Sequence, residues 1–562
     1  VKAWLKIVFL VLGLTLFICA SGARAGTVYV SQNGGTFNGG SACNGKSTVS
    51  IAASNGATYT AGETIYLCGV ITSAVSFGKG SGTSGNPITI VFDAGARISL
   101  PYCNSTCFSL GGSYMVVDGG VPCGPGTACA ATEAANPKGY PQGISGIIEA
   151  TQAGSSLPNK PTGSKGLVVG GGSNNIVKNL IIRNIYQHTS YDDNTGGSNS
   201  FTAIEAPAPY FTVHDCTIHD VSSGINVNTS GPTASNENFY SNNFWNINWG
   251  ISNGGYSTLV NTNWSVHDNH FGSTGNWDDS NNTYHHDRMF LYADTNDQGS
   301  WNGVYIYNNL FDGNSGLNAT AMLYFGGGSQ QNTYIFNNVF DNTASTSGID
   351  DGLLTLGAMG PATLFLYNNT IIGAGLQIDS GRQGCVVMEG HITFVNNVVT
   401  GCDQLLYLQN GLKGSGGPYV VYMDYNTYGA ANPNKVFTHD GSPQYFPTLS
   451  AWKEFTGQES HSTLNLSGVT LSSVGIPLSG SPAVNAGLNM TGTSPGGGSI
   501  TDGCGSGLLS ALCSDTTLGS TRSSLQRPSS GAWTTGAFVT GGTGAPAPTR
   551  PAAPTNLGAT VN

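Results

Sequence analysis

One residue type returns in register along most of this chain. Aligned on their short apolar runs, the stretches "VKNLII", "VHDCTI", "YSNNFW", "VHDNHF", "YIYNNLF", "YIFNNVF", "FLYNNTI", "TFVNNVV" and "YMDYNTY" share one position. It holds Asn179, Cys216, Asn242 or Asn243, Asn269, Asn309, Asn338, Asn369, Asn397 and Asn426, at steps of 37, 26, 27, 40, 29, 31, 28 and 29 residues when Asn242 is counted. Apolar residues alternate before it and return two positions after it, which is a strand pattern. Strands repeating every 20 to 50 residues imply coils that cannot bury an apolar face alone and gain a core by stacking, as in a β-solenoid. A recurring asparagine suits such a turn, because it tolerates left-handed backbone angles and its amide can bond adjacent coils. A small residue fills the position where no partner is needed, so Cys216 is expected to be an unpaired core thiol. A propeller blade needs about 40 residues, longer than most of these steps. A β-sandwich gives no reason for the recurring asparagine.

The first 25 residues, "VKAWLKIVFLVLGLTLFICASGARA", combine Lys2 and Lys6, an apolar run from Ile7 and a small-x-small ending. They read as a secretory signal peptide, with the mature chain from Gly26 and a secreted or extracellular destination. Residues 26 to 150 read as an N-terminal cap and first coils, 151 to 430 as the regular helix with loop insertions, and 431 to 538 as final coils and closure. There "AWKEFTGQESH" suggests a helical turn and "GAWTTGAFV" a terminal strand. Residues 539 to 562 are a Pro/Gly-rich linker whose end, "PTNLGATV", resembles the first strand of a surface module, a possible means of cell-surface attachment. The mature part would keep 11 cysteines, which suits an oxidising compartment. Spacing suggests the pairs Cys103–Cys107, Cys123–Cys129 and Cys504–Cys513, then Cys43–Cys68 and Cys385–Cys402.

Without its leader the chain carries 16 basic against 30 acidic residues. That balance argues against nucleic acid and anionic membranes as partners, and makes a polyanionic ligand awkward without cations. No later apolar run is long enough to span a bilayer. Discounted motifs include "VVGGGSNN", which lacks the Lys-Ser/Thr of a phosphate loop. "HDCTIH" places His214 and His219 on opposite strand faces, which weakens a zinc site.

The pattern resembles the right-handed parallel β-helix proteins of the pectate-lyase-like superfamily, most specifically from Asn175 to Tyr428. "TVYVSQNGG" resembles an entry strand of bacterial members and "GSPAVNAG" their closing coils. The resemblance implies an all-β, right-handed parallel β-helix with a capped N-terminus. No short motif selects an enzyme family.

Two long steps mark where chemistry is expected, since solenoid insertions commonly form the binding face. They carry "YQHTSYDDNTGGSNSFTAIEA" and "GSTGNWDDSNNTYHHDRMFLYADTNDQGSW", and leaving one corner they would wall a groove about two coils wide. Seven of the ten histidines lie between His188 and His286. Each alone reads best as a turn residue satisfying backbone groups; together with carboxylates and aromatics they read as a site. If a strand starts near Asp287, His286 and Arg288 share the face that reaches the groove.

Two polysaccharide-cleaving mechanisms fit. In β-elimination of an acidic polysaccharide, slightly preferred here, calcium held by Asp192, Asp193, Asp220 and Asp287 would neutralise the substrate carboxylate while a base removes the adjacent proton. His286 or Arg288 would be the base or charge stabiliser; arginine as base is an idea that comes from the lyase resemblance. In glycoside hydrolysis, Asp215 and Asp220 would face Asp268 or Asp287 across one or two coils. Tyr191, Trp277, Tyr284, Trp301 and His219 are the candidates for holding sugar, and Trp245 and Trp249 read as structural. The rival is a non-enzymatic extracellular adhesin or self-assembling structural protein, supported by the low charge and the many hydroxyl and amide side chains.

Overall fold

The asparagines hold the coils together. In a computed structural model, residues 26–540 are described except 104, 141–143, 153–163, 187–200, 207–208, 228–232, 254–259, 276–285, 293–298, 317–318, 327–328, 346–348, 359–363, 374–383, 410–419, 440–443, 492–506 and 517–523. The amide groups of Asn242, Asn269, Asn309, Asn338, Asn369, Asn397 and Asn426 are stacked in the interior. From Asn242 to Asn397, the backbone N–H and side-chain Nδ2 both donate to the Oδ1 of the next asparagine, while Nδ2 also donates to a carbonyl of the preceding coil. Glu459 and Ser462 receive and close the ladder beyond Asn426.

The first coil corrects the alignment by one residue. Lys178 pairs with His214, so Asn179 stands opposite Asp215 and Leu180 opposite Cys216. Asn179 and Asp215 are corner residues with φ of 56° and 54°; the ladder column begins with Leu180 and Cys216. Asn242, not Asn243, is the third member. Cys216 is a buried free thiol whose pKa burial pushes up to about 12.

Each central coil makes three straight runs, and nearly all pairings between coils are parallel. Among the described residues these form a sheet of 16 strands, here face one, and a sheet of 24 strands folded along a bend into faces two and three. Thr217–Val227 shows the construction: Thr217 to Val221 pairs on face two with Leu180–Ile185, Ser223 to Asn226 on face three with Thr202–Glu205, and Asp220 at φ 50° makes the bend. This is the all-β parallel β-helix expected. Alternation sends one residue in two inward, and like residues stack: Phe244, Phe271, Phe311 and Phe340 lie with ring centroids 4.9, 4.6 and 4.6 Å apart.

Both ends are covered, as stacked coils require. A hairpin, Asn33–Phe37 with Lys46–Ser50, and the helix Ile51–Gly56 lie over the first coil. At the far end Trp452 of the helix Leu449–Thr456 is buried on Phe437; this is the helical turn anticipated there. "GAWTTGAFV" makes only an isolated bridge, Gly487 to Trp533. Its segment instead packs Met490, Leu512 and Trp533 over the outer rings Tyr334, Phe336 and Tyr367 of face one. Disulfides join Cys43–Cys68, Cys103–Cys107, Cys123–Cys129 and Cys385–Cys402. Cys513 is also disulfide-bonded, and Cys504 lies outside the described residues. So do the leader and the tail beyond Thr540.

Candidate functional site

Register places the roots of the two long insertions in one column. Ile185 pairs with Val221, Val221 with Ile247 and Ile247 with Thr274, so residues 187–200 and 276–285 are both rooted at the bend between faces two and three. The two intervening coils cross that bend as unbroken strands of 11 residues, Thr217–Val227 and Asn243–Asn253. Ser222 and Asn248 sit there, and the buried Ser222 Oγ and Asn248 Oδ1 have no hydrogen bond among the described residues.

Asp287 enters face three just before the strand Met289–Tyr292. It is fully buried, and neither carboxyl oxygen is hydrogen-bonded among the described residues, though the Ala321 backbone is close enough to favour its charge slightly. Burial above all, with the Asp351 charge added, holds its pKa well above the usual carboxylate range. Asp351 comes from two coils away: Met289–Tyr292 pairs with Leu323–Gly326, and that strand with Ile349–Ala358. The register slips there, Ala319 facing Ile349 but Ala321 facing Gly352, so an extra residue is inserted beside Asp351. Such bulges re-aim side chains.

Phe290 and Tyr292, three and five residues after Asp287, begin an aromatic surface further along the same face. Trp249 stacks on Phe290 at 5.9 Å, Phe290 lies 5.8 Å from Tyr292 and 5.3 Å from Tyr324, and Tyr292 lies 6.2 Å from Tyr324. Phe290, Tyr292 and Tyr324 are half-buried; alternation turns them out while Met289 and Leu291 point in. Tyr292 pairs with Gly326 across the ladder, and the column continues to Gly357 and Glu389. A Cβ placed on Gly357 would meet only Gly326 Cα, at 3.8 Å. At Gly326 a Cβ would meet the Tyr324 ring at 3.2 Å, so the column leaves a trench open at Gly357 alone, between that ring and Glu389.

Several expected site residues are elsewhere. The strand begins at Met289, not at Asp287, so the alternation expected for His286 and Arg288 does not apply. Both are buried. Arg288 donates to the carbonyls of Gly272 at 2.7 Å, Asp312 at 2.8 Å and Gly313 at 3.3 Å, and to Ser315 Oγ at 3.0 Å. Burial lowers its pKa to about 10, so it remains a cation clamping turns. Trp301 is wholly inside, against Trp264 and Phe325, because its strand turns that position to the core.

His219 is equally enclosed. It bonds Asp220 at 2.6 Å and Glu133 at 3.0 Å and stacks on Trp245 at 3.8 Å. Burial alone would lower its pKa, but the two carboxylates outweigh it and the net direction is up. Glu133 comes from the helix Ala128–Ala135, capped by Thr127, and also binds Arg183, which reaches Glu149 at 2.9 Å. This cluster fastens an N-terminal flap onto face two. Asp215 and Asp268 stand at equivalent corners of face one, two coils apart, each bonded to its preceding histidine at 2.7 and 2.6 Å; they do not join Asp287.

Tyr191, Asp192, Asp193, Trp277 and Tyr284 lie outside the described residues. Of the expected calcium ligands this leaves Asp220 and Asp287. Asp220 has its oxygens bonded to His219 and Asn246, and Asp287 is fully buried on another coil. Among the described residues no three His, Cys, Asp or Glu are grouped closely enough to hold a metal.

The sequence reading missed Asp351, Tyr292, Tyr324 and Glu389. "YFGGG", an aromatic pair before three glycines, was the available signal for the trench.

No family model and no curated relative matches the chain. Among solved structures it is similar to a lacto-N-biosidase from Eubacterium ramulus, with 11% identity and a TM-score of 0.38 over 78% of this chain and 68% of that one. A protein solved in complex with xylose gives 10%, 0.34, 78% and 86%, and a pectate lyase 12%, 0.30, 84% and 94%. Similarity at this level carries no argument about activity, which must rest on the residues themselves.

Proposed function

We propose that this chain is an extracellular enzyme that cleaves glycosidic bonds in a polysaccharide, with Asp287 as the proton donor to the leaving oxygen and Asp351 as the carboxylate that activates water. The observation that carries this reading is a fully buried carboxyl, Asp287, whose pKa burial and the Asp351 charge hold well above the usual carboxylate range, with Asp351 two coils away. A carboxylic acid kept neutral by burial is what protonation of a leaving alkoxide needs. Residues two coils apart are separated by about 9.5 Å along the axis, at the wide end of the roughly 6.5 to 9.5 Å that admits a water between the carboxyls and inverts the anomeric centre. Sugar rings would lie on Phe290, Tyr292 and Tyr324 along the trench. The disulfides suit an oxidising compartment, and no described helix is long and apolar enough to cross a membrane.

Elimination, the reaction slightly preferred from the sequence, has less support, because Arg288 spends its donors on carbonyls. The test is incubation with a polysaccharide panel, with and without calcium, following new reducing ends and the ultraviolet absorbance of new double bonds. Reducing ends without double bonds, abolished in Asp287→Asn and Asp351→Asn, are expected. Unsaturated products, or activity untouched by both substitutions, would overturn the assignment.

A further inference from the structure

The edge where face three turns into face one is a second left-handed column. Tyr114, Asn174 and Tyr210 stand there on successive coils, since Val116 pairs with Ile176 and Asn175 with Phe211. Asn236, Asn263, Gly303 and Asn332 continue the line. All seven have positive φ, between 50° and 70°. Asparagine and glycine accept that conformation readily, and a bulky ring does not. The two tyrosines therefore occupy positions that backbone preference alone would give to asparagine. Neither fills the core: Tyr210 is 50% exposed and Tyr114 half-buried, and no hydrogen bond or ring contact engages either side chain among the described residues. Their register puts them two coils apart, about 9.5 Å along the axis. Asn174 lies between them in the column, with its Nδ2 on Ser173 Oγ at 3.0 Å. Beyond Tyr210 the exposed Asn263 donates to Asn236 Oδ1 at 3.2 Å.

We infer that this edge is a carbohydrate-holding surface, separate from the trench, on which an extended β-1,4-linked polysaccharide lies along the helix axis. The assignment goes beyond the cleavage reading and does not depend on it. An extended chain of that linkage advances by nearly the two-coil spacing over two sugars, so alternate sugar rings can pack on Tyr114 and Tyr210 in one register. Tyrosine offers each sugar an apolar face and a hydroxyl at low entropic cost. The surface amides between and beyond the tyrosines supply donors and acceptors for sugar hydroxyls. A coiled α-1,4-glucan keeps no straight line of sugars and would meet one tyrosine at a time.

Asparagine already fills this column on neighbouring coils, so Tyr114→Asn and Tyr210→Asn remove the rings without disturbing the edge, and melting temperatures should be unchanged or raised. Binding of the full chain to xylan, hydroxyethyl-cellulose and amylose is followed by affinity electrophoresis. Each single change is expected to weaken binding of at least one β-1,4-linked polymer about 5-fold, and the double change at least about 10-fold. Tyr210→Phe, which keeps the ring, should cost less than about 2-fold. Amylose should bind more weakly than that polymer and be indifferent to the substitutions. Tighter binding of amylose, equal binding of the β-1,4-linked polymers by wild type and double variant, or no binding of them by the wild type overturns the inference. Binding lost in the double variant, with no cleavage by the wild type, would leave this surface standing and bring down the catalytic reading. Binding kept in the double variant but weakened in Tyr324→Ala would bring down this surface and leave the trench.

Discussion

Asn309 donates both its backbone N–H and its side-chain Nδ2 to Oδ1 of Asn338, each at 3.0 Å, in the core of the solenoid. Asn338 repeats the gesture toward Asn369 and also donates to the Ile306 carbonyl at 2.9 Å.

Asn338→Ala therefore strands buried donors and acceptors on both neighbouring coils. The expected loss is about 3 kcal/mol of unfolding free energy by chemical denaturation. Asn243→Ala, outside the ladder despite its adjacent asparagine, should cost about 1 kcal/mol. Equal losses would mean the ladder assignment is wrong.

Asp287→Asn should lower kcat/KM by about 10² to 10⁴ without lowering the melting temperature, since an amide is no harder to bury than a neutral acid. In the wild type the proton donor must be protonated and Asp351 ionised. Activity should fall at high pH as Asp287 finally loses its proton. Loss of the alkaline decline in an active variant of Asp287 would identify it as that donor.

Tyr324→Ala should weaken glycan binding roughly fivefold, corresponding to about 1 kcal/mol for a lost ring contact, at nearly unchanged stability. Titration with the polymer that the wild type binds is the measurement. An unaltered affinity would remove the aromatic surface from the site.

Glu459, bonded to Ser462, Tyr428 and Asn426 at the end of the ladder, has its pKa raised by burial from 4.5 to about 7. Between those values the folded state holds a proton that the unfolded state has released. Stability is thus greatest below about pH 4.5 on this account and declines as pH rises to about 7, by on the order of 3 kcal/mol. Denaturation of wild type and Glu459→Gln across this window should show the slope flattened in the variant.

Arg183→Met leaves Glu133 and Glu149 without their shared cation in a dry site, a loss of about 3 to 5 kcal/mol. Limited proteolysis should find the helix Ala128–Ala135 exposed in that variant first. The triple change with Glu133→Gln and Glu149→Gln should recover part of the loss, because no charge is left unpaired.

The solenoid could be read from residues because its period is carried by a chemical group that must recur. The frame failed by one position at Asn179, where an asparagine serves a left-handed corner and Leu180 takes the column. For the site, the anchoring of both insertions beside Ile185 and Thr274 was readable from the uneven steps. The residues on the wall were less so. Arg288 and Trp301 look exposed in a polar stretch, and only the true start of each strand decides which way they point. Asp351 stands at a register slip two coils from Asp287, and slips leave no period to detect. Tyr292, Gly326, Gly357 and Glu389 align only once the pairing of three successive strands is known.

Because every rung from Asn242 to Asn397 presents the same acceptor upward and the same donors downward, one whole turn can in principle be deleted and the cut ends rejoined without interrupting the asparagine ladder. Excising the turn that carries Asn369 would leave Asn338 bonded to Asn397. The molecule is in this sense a protein of adjustable length, whose interior wiring is indifferent to how many turns evolution or an engineer chooses to keep.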